Sequence, residues 1–343
     1  MRNKMKMIGA LGALLLSAMS AQAQDLKAAP GVTNPDADLK KFWGGGDPKG
    51  SVYSKDYVPH VITVMEANRL TGYVRGGNTD GTLQNAELVT LNPTHLAVGQ
   101  LDILRQLNGQ VMPGQGDKKY AFTILHQNIG PECLYIVTKE KSYTTFGHVR
   151  GNGFDLTVLT GGQKSGSFGT WKILQSVFND LAEIPVEHIG SADKIVDAVA
   201  ERTAAVGFFV MRPDPASETF TKIKSKGLNL VPVVDDALGS TYTYLQLKVA
   251  TGGFFAGKPV FHTTACTSVA LITGDPKTVA EGNRRVLQRV NATIARMKEV
   301  PATDLRPGLV SWKDMWDDMK EVGAEKVADL LESSKRALQE AKK

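Results

Sequence analysis

Short apolar segments typical of β-strands alternate along this chain with amphipathic segments that are typical of helices. Residues 204–211, AAVGFFVM, form one such strand-like segment, and residues 261–273 form a longer one. Trp171, Leu174 and Leu181 lie at helical spacing on one apolar face, which predicts that Trp171 belongs to a core. This alternation predicts an α/β fold, and 343 residues are enough for two lobes, each with a core of its own.

Three glycine-rich turns that also carry hydroxyl groups each precede a predicted helix. They are Gly50-Ser51, Gly81-Thr82 and Ser165-Gly166-Ser167. The N-terminus of a helix presents free N–H groups and a partial positive charge, which favour the binding of an anion. Each turn taken singly is equally consistent with a plain helix cap or a tight turn. Together they favour a cleft that receives a small anion.

The known phosphate-binding motifs do not fit these turns. Lys164-Ser165 resembles the end of a P-loop, but the first glycine of that motif is not at the required spacing. The glycine fingerprint of dinucleotide-binding folds is also absent from the strand-to-helix junctions. The sequence therefore argues against a nucleotide enzyme.

The N-terminus has the three parts of a secretory signal peptide, which we assign to residues 1–23. Arg2, Lys4 and Lys6 form a basic start, residues 8–18 form a short apolar core, and an A-x-A cleavage sequence follows. The alternative is an uncleaved N-terminal anchor. The alanine-rich character is bacterial in style, so we expect a protein exported to the periplasm.

Loss of this segment also changes the charge. The formal net charge of +5 falls by three, because the signal carries three basic residues and no acidic one. A nearly neutral mature surface argues against nucleic acid as a partner.

Two cysteines, Cys133 and Cys266, are too few for a zinc ribbon, and no C-x-x-C motif is present. In an exported protein they form either one disulfide or two buried free thiols. No histidine stands at metal-ligand spacing from another histidine or from a cysteine. We therefore expect neither a metal site nor a cofactor.

Five motifs, in order, resemble one family. They are GGGDPKGSVYSKDYV (44–58), GTLQNAELVTLNPTHLAVGQLD (81–102), TGGQKSGSFGT (160–170), VGFFVMRPDPA (206–216) and LRPGLVSWK (305–313). Their order and spacing resemble the TAXI-type solute-binding proteins of tripartite (TRAP) transporters. The resemblance implies a two-lobed type II periplasmic-binding-protein fold, with two hinge strands and a ligand cleft between the lobes.

The resemblance also implies a division of the chain. Residues 24–131 and 268–343 would form the discontinuous lobe I, and residues 132–267 would form lobe II. The chain would cross between the lobes near Pro131 and return near Cys266, which brings the two cysteines close to the hinge and favours their disulfide.

Candidate ligand residues follow from the turns together with the resemblance. They are Ser51, Tyr53, Thr82, Asn85, Gln100, Ser165, Gly166, Ser167 and Arg212. The serine turn would receive a carboxylate, Thr82 and Asn85 would face it, and Arg212 would offer a bidentate fork or else be a solvated cation. Tyr53 would form a wall, and Gln100 would contact the ligand or cap the adjacent helix.

Two function classes remain. The first is a non-catalytic, monomeric periplasmic receptor for a small organic anion, an amino acid such as glutamate or another carboxylate. It would deliver this solute to a TRAP-type membrane permease, or alternatively serve an ABC importer or a sensor. The second, less favoured class is an exported hydrolase that uses Ser165 or Ser167 as nucleophile, although no G-x-S-x-G motif is present.

Overall fold

The computed structural model describes residues 40–46, 53–202, 204–214, 216–249, 260–307, 320–321 and 323–341. Its strands are β1 (Lys40–Trp43), β2 (Tyr73–Arg75), β3 (Leu96–Gln100), β4 (Phe122–His126), β5 (Pro131–Thr138), β6 (Thr157–Thr160), β7 (Val186–His188), β8 (Ala205–Met211), β9 (Asn229–Val231), β10 (Thr243–Val249), β11 (Val260–Gly274) and β12 (Lys320–Glu321). Its helices are α1 (Val58–Ala67), α2 (Thr82–Leu91), α3 (Leu101–Leu107), α4 (Phe146–Gly151), α5 (Gly166–Val177), α6 (Ala192–Glu201), α7 (Glu218–Ser225), α8 (Arg284–Glu299) and α9 (Ala324–Ala341).

Lobe I is built on a mixed sheet in the order β2-β1-β3-β11-β4. The first three strands are parallel, with Phe42 of β1 beside Leu96 of β3. The second half of β11 then runs antiparallel to β3 and β4. Helix α2 connects two parallel strands, which is the crossover that parallel pairing requires.

Lobe II repeats the arrangement of lobe I. Strands β7, β6 and β8 are parallel, and β5 runs antiparallel to β8 and also pairs with β9. In each lobe, the parallel strand that comes first in the sequence, β1 or β6, lies between the other two parallel strands. The antiparallel neighbour, β11 or β5, is a strand by which the chain crosses between the lobes. The protein therefore has the two-lobed type II periplasmic-binding-protein fold predicted from the sequence, with α/β lobes joined by two strands.

The two crossing strands are β5 and β11, and they meet between the lobes. Cys133 of β5 lies directly opposite Cys266 of β11. The two cysteines form a disulfide across a sequence separation of 133 residues. Cross-links that close long loops stabilise a fold by about 2–4 kcal/mol, mainly by restricting the unfolded chain.

Apolar clusters cover both faces of the sheets. One cluster extends through both lobes and includes Phe42, Tyr57 and Phe209. A second lies against the opposite face of the lobe II sheet, where Trp171 is fully buried and tilted against Phe208. Trp171 is therefore a core residue, as its helical spacing predicted.

The C-terminal helix α9 packs on lobe II. It lies so close to α4 that a Cβ atom at Gly147 would overlap the backbone of Ser334, and Lys335 pairs with Asp236 at 3.0 Å. The sequence-based division placed all of residues 268–343 in lobe I. We reassign α9 to lobe II, because an amphipathic helix takes whichever apolar surface is left uncovered, and the sequence does not identify that surface. Within the described part of the chain, every helix is too short or too polar to span a bilayer.

Candidate functional site

Two glycine-rich turns face each other between the lobes, at the carboxyl ends of parallel strands. In lobe I, β3 ends at Gln100, and α2 begins after Gly81. In lobe II, β6 ends at Thr160, and α5 begins after Ser165. Open α/β sheets bind ligands at this edge, where loops converge and helices begin.

The start of α2 makes a close approach possible. Gly81 has a φ of 128°, a backbone conformation that residues other than glycine rarely adopt. A Cβ atom at this position would also lie 3.2 Å from the backbone nitrogen of Gly166. The hydroxyl of Thr82 is fully buried and accepts the backbone N–H of Gln100 at 3.1 Å. The two lobes are therefore in contact in this structure, with one helix start against the other.

The start of α5 is shaped by its two serines. The hydroxyl of Ser165 accepts the backbone N–H of Phe168 at 3.1 Å, which caps the helix. The hydroxyl of Ser167 accepts the backbone N–H of Val210 at 3.0 Å and so joins α5 to the sheet of its own lobe. Gly166 lies between them, and a side chain there would overlap the amide oxygen of Gln100. The backbone of this turn, rather than its hydroxyls, faces lobe I.

Asn85 is turned into the protein. Its amide nitrogen donates to the carbonyls of Gly44 and Val98, at 3.0 and 2.8 Å, and its oxygen accepts the hydroxyl of Thr79 at 2.7 Å. Both hydrogens of the amide are thus used inside lobe I. The structure gives Asn85 the role of holding the first loop against α2, instead of the ligand contact that the sequence suggested.

Tyr53 contacts a carboxyl group at the centre of the site. Its hydroxyl donates to Glu132, which stands at the start of the crossing strand β5. Burial raises the pKa of Glu132 to about 8, an effect that the bonds from Tyr53 and Gln100 oppose and that nearby Asp102 strengthens. Burial likewise raises the pKa of Tyr53 well above its usual value. This closed arrangement therefore favours the protonated form of Glu132.

Asp102 of α3 is the second buried carboxyl group, and it joins the two lobes. Its Oδ2 atom accepts the hydroxyl of Thr170 on α5 and the hydroxyl of Tyr242, both at 2.9 Å. Its backbone N–H donates to Thr267 at 3.3 Å. Burial raises the pKa of Asp102, although the hydrogen bonds from Tyr242 and Thr170 work against this rise.

Arg212 follows β8 and is buried rather than solvated. Its guanidinium donates to Asp56 of lobe I at 3.2 Å and to Asp214 of lobe II at 3.3 Å. Asp56 lies in the helical turn between the first glycine-rich loop and α1. Arg212 therefore binds the two lobes together through carboxylates of the protein itself.

A third link between the lobes lies at the rim. Lys164, next to the serine turn, pairs with Glu87 of α2 at 2.7 Å, and the lysine side chain is 39% exposed. An apolar contact lies nearby, where Leu83 and Ile103 of lobe I meet Ile173 of α5. The rim thus combines a solvated ion pair with a small apolar cluster.

Sequence reasoning found some of these residues and missed others. The residues it named that lie at the contact between lobes are Tyr53, Thr82, Gln100, Ser165, Gly166 and Arg212. Ser51 lies outside the described residues. Glu132 was missed because it looks like an ordinary strand residue, and its one signal is its position beside the predicted crossing at Pro131. Within the described ranges, no histidine, cysteine or acidic residues form a group of three that could hold a metal ion.

Comparisons with other proteins give similarities of shape. No protein-family model and no curated protein matches the chain. Among solved structures, MatC from Rhodopseudomonas palustris with bound malate is 11% identical over 89% of this chain and 97% of its own, with a TM-score of 0.45. XAC2383 from Xanthomonas citri bound to ATP is 9% identical over 88% and 97%, with a TM-score of 0.43. An ABC-type phosphate transport receptor from Vibrio cholerae is 11% identical over 76% and 97%, with a TM-score of 0.36.

Proposed function

We propose that this protein is a non-catalytic periplasmic receptor that captures a small organic anion between its lobes and delivers it to a TRAP-type membrane permease. The ligand is an amino acid such as glutamate or another carboxylate. The observation that carries this proposal is the pair of facing helix starts, at Gly81-Thr82 and Ser165-Gly166, which present backbone N–H groups to one small region. An anion that bridges both would link the lobes.

Binding at this place requires motion of the lobes. Gly81 and Gly166 are in contact here, so a ligand between them enters while the lobes are apart and is enclosed as they close. The bonds of Asp102, Arg212 and Lys164 across the lobes then favour the closed form. Two crossing strands joined by a disulfide supply a hinge for this motion.

The other candidates have less support. For a serine hydrolase, the hydroxyls of Ser165 and Ser167 would need a base, but both accept backbone N–H groups. Among the described hydrogen bonds, neither serine contacts a histidine or a carboxylate. An ABC importer or a sensor as partner would use the same site, and neighbouring genes for an ATPase would favour the importer.

The test is a thermal-shift screen of organic acids and amino acids, since a ligand that binds the folded state raises the melting temperature. Gly166→Ala should weaken the response, because the added methyl group overlaps the amide oxygen of Gln100 and that side chain must move before the lobes can close. Gly77→Ala is the matched control, because a Cβ there meets no atom within 4 Å. A wild-type protein that responds to none of these solutes would contradict the proposal.

A further inference from the structure

The centre of the interlobe contact contains a buried hydrogen-bond acceptor without a partner in the described part of the chain. Glu132 is 6% exposed and Gln100 is 2% exposed. The amide oxygen of Gln100 is buried and, among the described residues, has no hydrogen-bond partner. An unsatisfied buried acceptor destabilises the folded state, so its persistence calls for an explanation.

Hydrogen bonds from both the backbone and the side chain of Gln100 hold it in one orientation. Its backbone N–H donates to Thr82 at the start of α2. Its side chain hydrogen-bonds to Glu132 and thereby lowers the pKa of that carboxyl group. The amide oxygen has no hydrogen-bond partner among the described residues, so the amide nitrogen makes the bond to Glu132 and the oxygen is left beside Gly166 at the start of α5. An acceptor thus lies beside the region where the helix starts would hold a carboxylate.

The charged side chains named at this centre are also mostly acidic. Asp102 is close enough to Glu132 to disfavour ionisation of the Glu132 carboxyl group. The cation that approaches them, Arg212, is already paired with Asp56 and Asp214. A ligand that brought only negative charge would add to this excess, whereas one that also brought a positive group would reduce it.

We infer that the ligand of this site carries an ammonium group as well as a carboxylate, and that Glu132 and the amide oxygen of Gln100 receive the ammonium. The ligand is then a zwitterionic amino acid, and its carboxylate lies at the helix starts of α2 and α5. This inference rests on the proposed function and narrows its ligand class. Tyr53, which donates to Glu132, positions the carboxyl group for this contact.

Two matched series of compounds test the inference on the intact mature protein. Each proteinogenic amino acid is compared with the 2-hydroxy acid of the same side chain, first by thermal shift and then by calorimetry. The two members of a pair share the carboxylate and the side chain and differ in the ammonium. For the pair that binds best, we expect the amino acid to bind at least about ten-fold more tightly, since charge-assisted hydrogen bonds are the stronger ones.

The variant Glu132→Gln provides a second readout. It should weaken binding of the amino acid at least about ten-fold and leave binding of the hydroxy acid within about two-fold, because a bound ammonium favours the ionised form of Glu132 and a glutamine cannot ionise. Glu140→Gln, at an exposed position in lobe II, is the matched control and should change neither affinity. If the variant weakened both compounds equally, the contact between Glu132 and the ammonium would be refuted.

The outcomes separate this inference from the function on which it rests. If a hydroxy acid binds wild-type protein as tightly as its amino acid, or more tightly, the ammonium contact is refuted, but the proposed function as a carboxylate receptor is not. If the protein binds no member of either series and no other organic acid, both the proposed receptor function and this inference are refuted.

Discussion

The centre and the rim of the contact between the lobes use the same kinds of charged group in different surroundings. At the centre, the side chain of Arg212 is 9% exposed and pairs with Asp56 and Asp214. At the rim, Lys164 is 39% exposed and pairs with Glu87. A buried charge loses its hydration and depends on its partner, whereas an exposed charge exchanges one partner for water at little cost. Burial therefore decides which of these links determines stability.

The largest effect is expected from Arg212→Ala, which breaks the pair at the centre. It leaves Asp56 and Asp214 without their cation, and breaking a buried pair costs about 3–5 kcal/mol of the free energy of unfolding. Urea unfolding followed by circular dichroism measures the loss. The control is Arg202→Ala, because that arginine is 44% exposed and pairs with Glu187 at the surface. A loss below about 1 kcal/mol for Arg212→Ala would show that the two links are equivalent.

A smaller effect, counted per pH unit, is expected from the titration of Glu132. The folded protein holds its proton up to a pKa of about 8, whereas the unfolded chain releases it near the usual value of 4.5. Between these values the unfolded state binds fewer protons, so the contribution of Glu132 to stability falls with rising pH, by up to about 1.4 kcal/mol per pH unit.

This slope is isolated by comparing wild type with Glu132→Gln. Buried His262, whose pKa is lowered to about 4, contributes the opposite slope between that value and about 6.5, and it does so equally in both proteins. The difference in unfolding free energy between the two proteins should change steadily between pH 5 and 8 in favour of the variant. A difference independent of pH would mean that Glu132 is ionised in the folded state.

The smallest effect is expected from Lys164→Ala at the rim. Exposed ion pairs contribute about 0.2–1 kcal/mol, and that contribution is screened by salt. The loss in urea unfolding should lie in this range and shrink further at high ionic strength. A loss near that of Arg212→Ala, unchanged by salt, would show that the rim is as dry as the centre.

The sequence predicted the fold well because the fold depends on local patterns. Residues 261–273 were predicted to form a long strand, and β11 covers Val260–Gly274. Repeated strand-to-helix turns predicted the α/β class, since each turn, cap and apolar stripe is encoded within a few residues.

The site was predicted less well because its chemistry depends on distant neighbours. Asn85 has the residue type of a ligand donor, but the loop at Gly44 and the strand at Val98 use its amide. From the sequence alone, Arg212 is equally consistent with a surface cation. Only the fold places Asp56, which is distant along the chain, beside it. The hydrogen-bonding capacity of a side chain can be read from the sequence. Whether its donors and acceptors are already used within the protein depends on the packing.

The sequence by itself determined the strand–helix order, the glycine-rich helix starts and the burial of Trp171, because periodicity and caps act over short distances. The tertiary structure alone decided that α9 returns to lobe II, that Cys133 lies opposite Cys266, and that Glu132 is removed from water beside Gln100. The pKa of a carboxyl group follows from its burial and its neighbours, and both are set when the two lobes come together.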